Sequence, residues 1–367
     1  MWPSAKMHAS IAPIKDPVEV WKKRAQYMAV AQEERERTET EQNSGPLFED
    51  VADRYEEQLL ERKYGTQRAY LPALKRARKR FQGRRMKEIE PWEIKAFLND
   101  LDGMAHTTVS NQKTVINAIF QLYIEDPKWH GDYNPSKMTT MPRGLSRSRR
   151  EPPKDDQVQI VKNAIDDPDA LPAIIYLCTG ERRGEGCGIQ LKDIDFEHNI
   201  IHITKAVEWI SNQPHITGTK TSAGVRQVPL LRLLKDALEP YREIPPETYI
   251  VGLGQKPVTA SWYHRHWASF WRKHGQARPI TRTYTRTRNG KQYTYHQTDW
   301  VAEVCAHQFR HEYVCMLVEA GVPEDISMQL VGHANQKMIH EVYLHLKASM
   351  LENATQLLNE HLNSKKR

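Results

Sequence analysis

The sequence predicts a mainly α, multidomain protein: a small helical domain followed by a mixed α/β domain that carries a small antiparallel sheet. Three observations predict it. Apolar residues recur at helical spacing through the first third of the chain. Short runs of β-branched and aromatic residues flanked by turn residues appear only beyond residue 195. A stretch of Pro, Ser, Gly and Arg with no apolar period separates the two regions, and 367 residues are enough for two domains.

Residues 1–45 are polar and charged, with a helical stretch over 18–39 that runs into a linker at Asn43-Ser44-Gly45-Pro46; they read as an N-terminal arm or coupling helix. The helical domain covers 46–142. Phe48, Val51, Tyr55 and Leu59 mark its first helix, which Gly65 is expected to end. Thr66 is the expected cap of a second helix with Tyr70, Leu74, Ala77 and Phe81 on one face, and Pro72 is expected to kink it or shift its start. The opposite face carries Lys75, Arg76, Arg78, Lys79 and Arg80. Pro91 suits the first turn of a third helix with Trp92, Ile94, Phe97 and Leu98, and Val115, Ile116, Ile119, Phe120 and Tyr123 mark a fourth.

A basic linker follows at 143–154, holding Arg143, Arg147, Arg149 and Arg150, and then a catalytic-sized domain over 155–345. Within it 200–203 and 225–230 read as strands joined through a turn at Ser222-Ala223-Gly224. A second hairpin spans 282–297 around Asn289-Gly290, a strong two-residue turn signal, and its Arg282, Arg286, Arg288 and Lys291 make it basic. The tail, 346–367, reads as an amphipathic helix with Met350, Leu351, Ala354, Leu357, Leu358 and Leu362.

The net charge of +7 favours a polyanionic partner. The distribution sharpens this: residues 62–87 hold eleven Lys or Arg. Cys178, Cys187, Cys305 and Cys315 form no CxxC pair and read as buried free thiols in a reducing compartment. The N-terminus has no apolar signal core and no run is long enough to cross a bilayer, so the expectation is a cytoplasmic protein with no membrane partner.

Five short motifs carry chemistry. Thr179-Gly180-Glu181-Arg182-Arg183-Gly184-Glu185 puts an arginine at a turn, where a guanidinium can fork two hydrogen bonds onto phosphate oxygens. Thr219-Lys220-Thr221 offers a lysine just before a turn. His307-Gln308-Phe309-Arg310-His311 places His307 and Arg310 on one helical face. A zinc helix would need glutamate after the first histidine, where Gln308 stands, so no metal is expected. Val331-Gly332-His333 follows a helical segment that the glycine is expected to end, and ten residues on comes Tyr343.

Together, in this order, these residues resemble the tyrosine recombinases, the integrase class of phages and conjugative elements. The family pattern is an arginine in a TGxRxGE box, a lysine in a β-hairpin, an HxxR box, a glycine-histidine and a tyrosine. Arg182, Lys220, His307, Arg310, His333 and Tyr343 fill those places, with Glu185 in support. The resemblance covers about residues 46–362 and implies a SAM-like core-binding domain before the recombinase catalytic domain. It implies that Tyr343 attacks a DNA phosphate, forming a 3′-phosphotyrosyl link, with no cofactor. His307 would take the phenol proton, Lys220 would protonate the departing 5′-oxygen, and Arg182, Arg310 and His333 would stabilise charge. The implied partner is double-stranded DNA, clamped by both domains. The implied assembly is a homotetramer on DNA, a monomer or weak oligomer when free, with the tail helix docking on a neighbouring protomer. A directionality factor or host DNA-bending protein would be accessory. A type IB topoisomerase uses similar chemistry on one duplex; the compact helical domain, linker and tail helix favour the recombinase. The chain departs from the family at Gly186-Cys187-Gly188, where large apolar residues are usual, and at the basic hairpin before the HxxR box.

Overall fold

A computed structural model describes residues 16–43, 45–129, 131–146, 151–218, 224–332 and His340. It forms two compact units, residues 1–148 and 149–367.

The first unit begins with helix α1 (Pro17–Asn43), whose described side chains are almost all exposed. Four helices build its core: α2 (Phe48–Leu60), α3 (Tyr64–Arg80), α4 (Pro91–Asn99) and α5 (His106–Glu125). The residues that set the helical period are those that pack. Phe48, Val51, Leu59, Leu74, Phe81, Ile94, Ile116, Ile119 and Phe120 are all buried. Phe81 sits between Phe48 and Phe97, with ring centroids 5.1 and 5.7 Å away.

Two local expectations are corrected, and Pro72 is placed inside a helix. Helix α3 starts at Tyr64 with Lys63 as its cap residue, so Gly65 lies in its first turn and Thr66 is not the cap. The helix runs through Pro72 without a break; Pro72 is in its third turn. Trp92 is 67% exposed, because the first turn of α4 points it away from the core that Ile94, Phe97 and Leu98 enter.

In the second unit, α7 (Leu171–Thr179) follows α6 (Asp155–Asn163), and all nine residues of α7 are buried. Beyond the short α8 (Arg183–Gly186), a three-stranded antiparallel sheet forms from β1 (Ile194–Asp195), β2 (Ile200–Ile203) and β5 (Arg226–Pro229), with β2 central. Strands β2 and β5 are the two expected partners, with Ile201 opposite Val228. They are not joined by a simple turn. Between them lies a separate hairpin, β3 (Lys205–Ile210) and β4 (Gln213–Gly218), turning at Ser211 and Asn212 with φ 47° and 75°. Two positive φ values in a two-residue loop match the right-handed twist of the flanking strands. Helix α9 (Arg232–Leu238) and the aromatic α10 (Ala260–Lys273) follow.

The basic hairpin is longer than its sequence signal: β6 (Ala277–Arg288) and β7 (Lys291–Ala302) pair over twelve positions around Asn289 and Gly290. Helices α11 (Ala306–Glu319) and α12 (Glu324–Val331) complete the described part, and α12 closes at Gly332 in the left-handed conformation. The core gathers Tyr176, Trp267, Trp271 and Phe309, with the Trp271 and Phe309 rings stacked at 5.8 Å. Cys178 and Cys187 are buried, whereas Cys305 and Cys315 are only half-buried, a correction to the expectation for all four. The tail expected as a helix over 346–367 lies outside the described residues. No described helix is long and apolar enough to cross a membrane.

The glycines after Glu185 have a packing reason. A Cβ on Gly186 would stand 2.5 Å from Cε1 of Tyr176, whose ring is fully buried. Gly186→Ala is therefore expected to cost about 1–3 kcal/mol through overpacking. A thermal melt of the full chain checks this, with a drop of roughly 3–10 °C in the transition of the second unit.

Candidate functional site

The site is built at the end of α7. Gly180 ends that helix in the left-handed conformation, with φ 62°, and turns the chain into Glu181 and Arg182. Arg182 precedes α8 and is held at two points by Glu185: its backbone N–H donates to Oε2 at 3.1 Å and its guanidinium to Oε1 at 2.7 Å. The carboxylate thus fixes both the helix start and the direction of the arginine.

Helix α11 supplies His307 and Arg310, three residues apart. His307 is exposed, while Phe309 and Arg310 are buried. Arg182, His307 and Arg310 line one cleft of about 1270 Å³, together with Arg183, Arg265, Arg272 and Arg282. Among the described residues its one lining carboxylate, Asp299, is paired with Arg282 at 3.0 Å. Such a cleft suits an anion.

The two candidate arginines also meet through the end of α12. Arg310 donates to the carbonyls of Gly180 at 2.8 Å and Val331 at 2.7 Å, and Arg182 donates to the carbonyl of Gly332 at 3.2 Å. The Arg310 side chain is fully buried, and its Nε–H has no acceptor among the described residues. The Arg182 side chain is 36% exposed to the cleft.

Two carboxyls lie beneath these cations. Burial pushes Arg310 down, to about 9, and neighbouring Arg182 and Arg226 add to the fall while Glu185 opposes it. Burial also works to raise Glu185, yet its hydrogen bond with Glu181 and the charges of Arg226 and Arg182 prevail and hold it at about 2. Glu181 is driven the other way. Burial raises it well above the usual carboxylate range, Arg226 opposes the rise, and Glu185 adds to it.

A pH signature follows. Glu181 keeps its proton in the fold at pH values where the unfolded chain has lost it. The folded state then binds more protons, so wild-type stability falls as pH climbs from the ordinary carboxylate pKa of about 4.3 towards the raised one. Glu181→Gln has no such loss. The melting temperature of the variant minus that of the wild type is expected to grow between pH 4.5 and pH 8, and a flat difference across that range would contradict this.

Lys220, His333 and Tyr343 lie outside the described residues, as do Arg147, Arg149 and Arg150. Lys220 falls between β4 and β5, not between β2 and a partner joined directly to it. Of the other cations expected on an open face, Arg78 is paired within its unit to Asp53 and Glu56, each at 2.6 Å. Arg76 donates to Gln112 at 3.0 Å. Arg143 and Arg288 are exposed, and Arg286 lies over the Tyr284 and Tyr295 rings. Sequence reasoning missed Glu181, Arg226, Arg183, Arg265 and Arg272. The last three were legible only as isolated cations, and their shared cleft is a product of the fold.

The phage integrase family model matches residues 154–350, more than half of the chain, and the phage integrase N-terminal SAM-like domain matches residues 47–128. The chain belongs to the phage integrase family. Its relatives include the ICEBs1 integrase of Bacillus subtilis strain 168, 27% identical over 173 residues, which are 47% of this chain and 43% of that protein. The transposase from transposon Tn916 of Enterococcus faecalis is 24% identical over 276 residues, 70% of this chain and 62% of that one. The chain thus spans roughly half the length of the curated relatives it matches. Among solved structures, the Tn1549 transposon integrase in complex with a circular intermediate DNA aligns with TM-score 0.63 at 18% identity, covering 82% of this chain and 98% of that one. A lambda integrase tetramer bound to a Holliday junction aligns with TM-score 0.55 at 18% identity, covering 81% and 77%. At this identity the likeness establishes the integrase fold: a SAM-like helical unit and a mainly helical unit with small antiparallel sheets.

Proposed function

We propose that the chain is a site-specific DNA recombinase that integrates or excises a mobile element by cutting and rejoining strands through a 3′-phosphotyrosyl intermediate and a Holliday junction. The observation that supports this most is the convergence of Arg182, His307 and Arg310 on one cation-rich cleft, in a chain whose order continues through His333 to Tyr343.

The roles follow from the chemistry of each group. A phenol ionises near pH 10, so Tyr343 needs a base; His307 and His264 are both exposed at the cleft, and His307 is the one that shares a helix face with Arg310. Arg182 has guanidinium surface open to the cleft and would take the non-bridging phosphate oxygens. Arg310 would act from below, through its charge and its Nε–H, in a dry environment where electrostatic stabilisation is worth a few kcal/mol. Lys220 would protonate the leaving 5′-oxygen, and His333 would add a hydrogen bond. Glu185 keeps Arg182 aimed. A tyrosyl phosphodiester retains the energy of the broken bond, so rejoining needs no nucleotide cofactor.

The partner in this reading is double-stranded DNA, bound by the basic face near Lys75 and Lys79, the 143–154 segment and the β6–β7 ribbon. Four protomers would act on two duplexes, with accessory proteins setting direction. The relatives bear on this: the Tn1549 integrase was captured on a circular intermediate and the lambda integrase as a tetramer on a Holliday junction.

The test is strand exchange. Two duplexes carrying the end sequences of the element that encodes this gene, differently labelled, are expected to yield recombinant joints and a four-way intermediate. Relaxation of supercoils with no exchanged joints would favour a topoisomerase instead.

A further inference from the structure

Beyond the reacting groups, one residue ties the cleft together: Arg226 at the start of β5. Its side chain is 5% exposed, so it cannot meet DNA, yet all three of its nitrogens are engaged. Nε donates to the carbonyl of Leu330 at 2.8 Å and one terminal nitrogen to the carbonyl of Gly224 at 3.0 Å. The other terminal nitrogen bridges Glu181 Oε1 at 2.8 Å and Glu185 Oε2 at 3.1 Å.

These bonds join the two supports of the cleft. Three consecutive carbonyls at the end of α12, those of Leu330, Val331 and Gly332, are taken by Arg226, Arg310 and Arg182 respectively. The last carbonyls of a helix have no partner within it and carry its negative end, so three guanidiniums there satisfy both needs. Glu185 in turn is shared, with Oε1 on Arg182 and Oε2 on Arg226.

We propose that Arg226 is a positioning residue: it ties the turn carrying Arg182 to the end of α12, and thereby fixes where Arg182 and Arg310 stand at the cleft. The inference rests on the recombinase reading for its consequence in cleavage, but its structural claim stands apart. Lysine cannot replace the arginine. One ammonium holds its three donors on a single nitrogen, whereas Leu330, Gly224 and the two carboxyls are reached from three separate nitrogens. The rival explanation is that Arg226 only gives the buried Glu181 a hydrogen-bond partner.

The experiment compares wild type, Arg226→Lys and the double variant Arg226→Met with Glu181→Gln. Each is measured on a nicked attachment-site duplex at saturation and by amide exchange over residues 324–332. With Arg226→Lys, DNA affinity is expected to stay within about threefold, adduct formation to slow by about thirtyfold or more, and exchange at the end of α12 to speed up by about tenfold. The double variant replaces the buried Glu181 carboxyl, which would otherwise lose its guanidinium partner, with a neutral amide, so it should fold even if the lysine variant does not. It is expected to cleave as slowly as the lysine variant. Wild-type cleavage or unchanged exchange in either folded variant overturns the proposal. If wild type itself forms no adduct, the recombinase reading fails, and the exchange measurement alone decides the role of Arg226.

Discussion

Tyr343→Phe is expected to abolish the covalent protein–DNA adduct while leaving DNA affinity within about threefold of the parent. The substitution removes one oxygen and keeps the ring, so packing and charge are preserved. Nothing else in the set of six residues can take over the attack. Arg182 and Arg310 are cations without a lone pair to offer, Lys220 is assigned to the leaving group, and His307 and His333 would yield a labile phosphoramidate, not a phosphotyrosine. Removing a covalent nucleophile costs roughly 10⁴-fold or more where it has been measured. Denaturing gels after incubation with a nicked duplex check the result. An undiminished adduct in the variant would move the nucleophile elsewhere.

Arg310→Met is the second large effect, and here two magnitudes must be weighed. The side chain is fully buried, and burying a cation is costly even when it is paired. Methionine of similar length removes that cost, but it orphans the carbonyls of Gly180 and Val331 and leaves Glu185 with less positive charge around it. Each unsatisfied buried carbonyl costs about 1–3 kcal/mol. The opposing effects leave the net change in stability small, a few degrees in melting temperature. Cleavage has no such compensation. Loss of one preorganised charge at the transition state costs about 10²–10³ in rate. A variant that melts near wild type and cleaves slowly at saturating DNA is the expected outcome. A variant that cleaves normally would confine Arg310 to a structural role.

Much of the fold was legible, for reasons particular residues show. The period of Phe48, Val51, Tyr55 and Leu59 is a property of one buried helix face, and burial confirms it. Asn289-Gly290 names its turn because both residues tolerate positive φ. The β3–β4 hairpin escaped notice because its turn, Ser211-Asn212, lacks glycine. Val207 is also the only residue of its strand that is buried, so the alternation is faint. Trp92 misled because an apolar residue in the first turn of a helix can fit the period and still face solvent.

At the site, the arginine and histidine boxes were readable as types in order, since their chemistry is written in short motifs. The network beneath them was not. Arg226 lies 45 residues from Glu181 and 104 from Leu330, and Glu181 stood unremarked between two glycine-flanked signals. Nothing local marks a residue whose partners are that distant. The burial that works to raise both Glu181 and Glu185, and the guanidiniums that hold Glu185 down against it, come together only when the fold brings these distant segments into one place.

The most direct test of the whole account is to map the covalent bond. Wild-type protein is incubated in EDTA with an attachment-site duplex nicked so that rejoining fails, the adduct is digested with protease and nuclease, and the linked peptide is identified by mass spectrometry. The account predicts a peptide containing Tyr343 joined to a 3′-phosphate, with a free 5′-hydroxyl on the released strand. A link through another residue, a 5′ attachment, or tight binding with no adduct at all would contradict it.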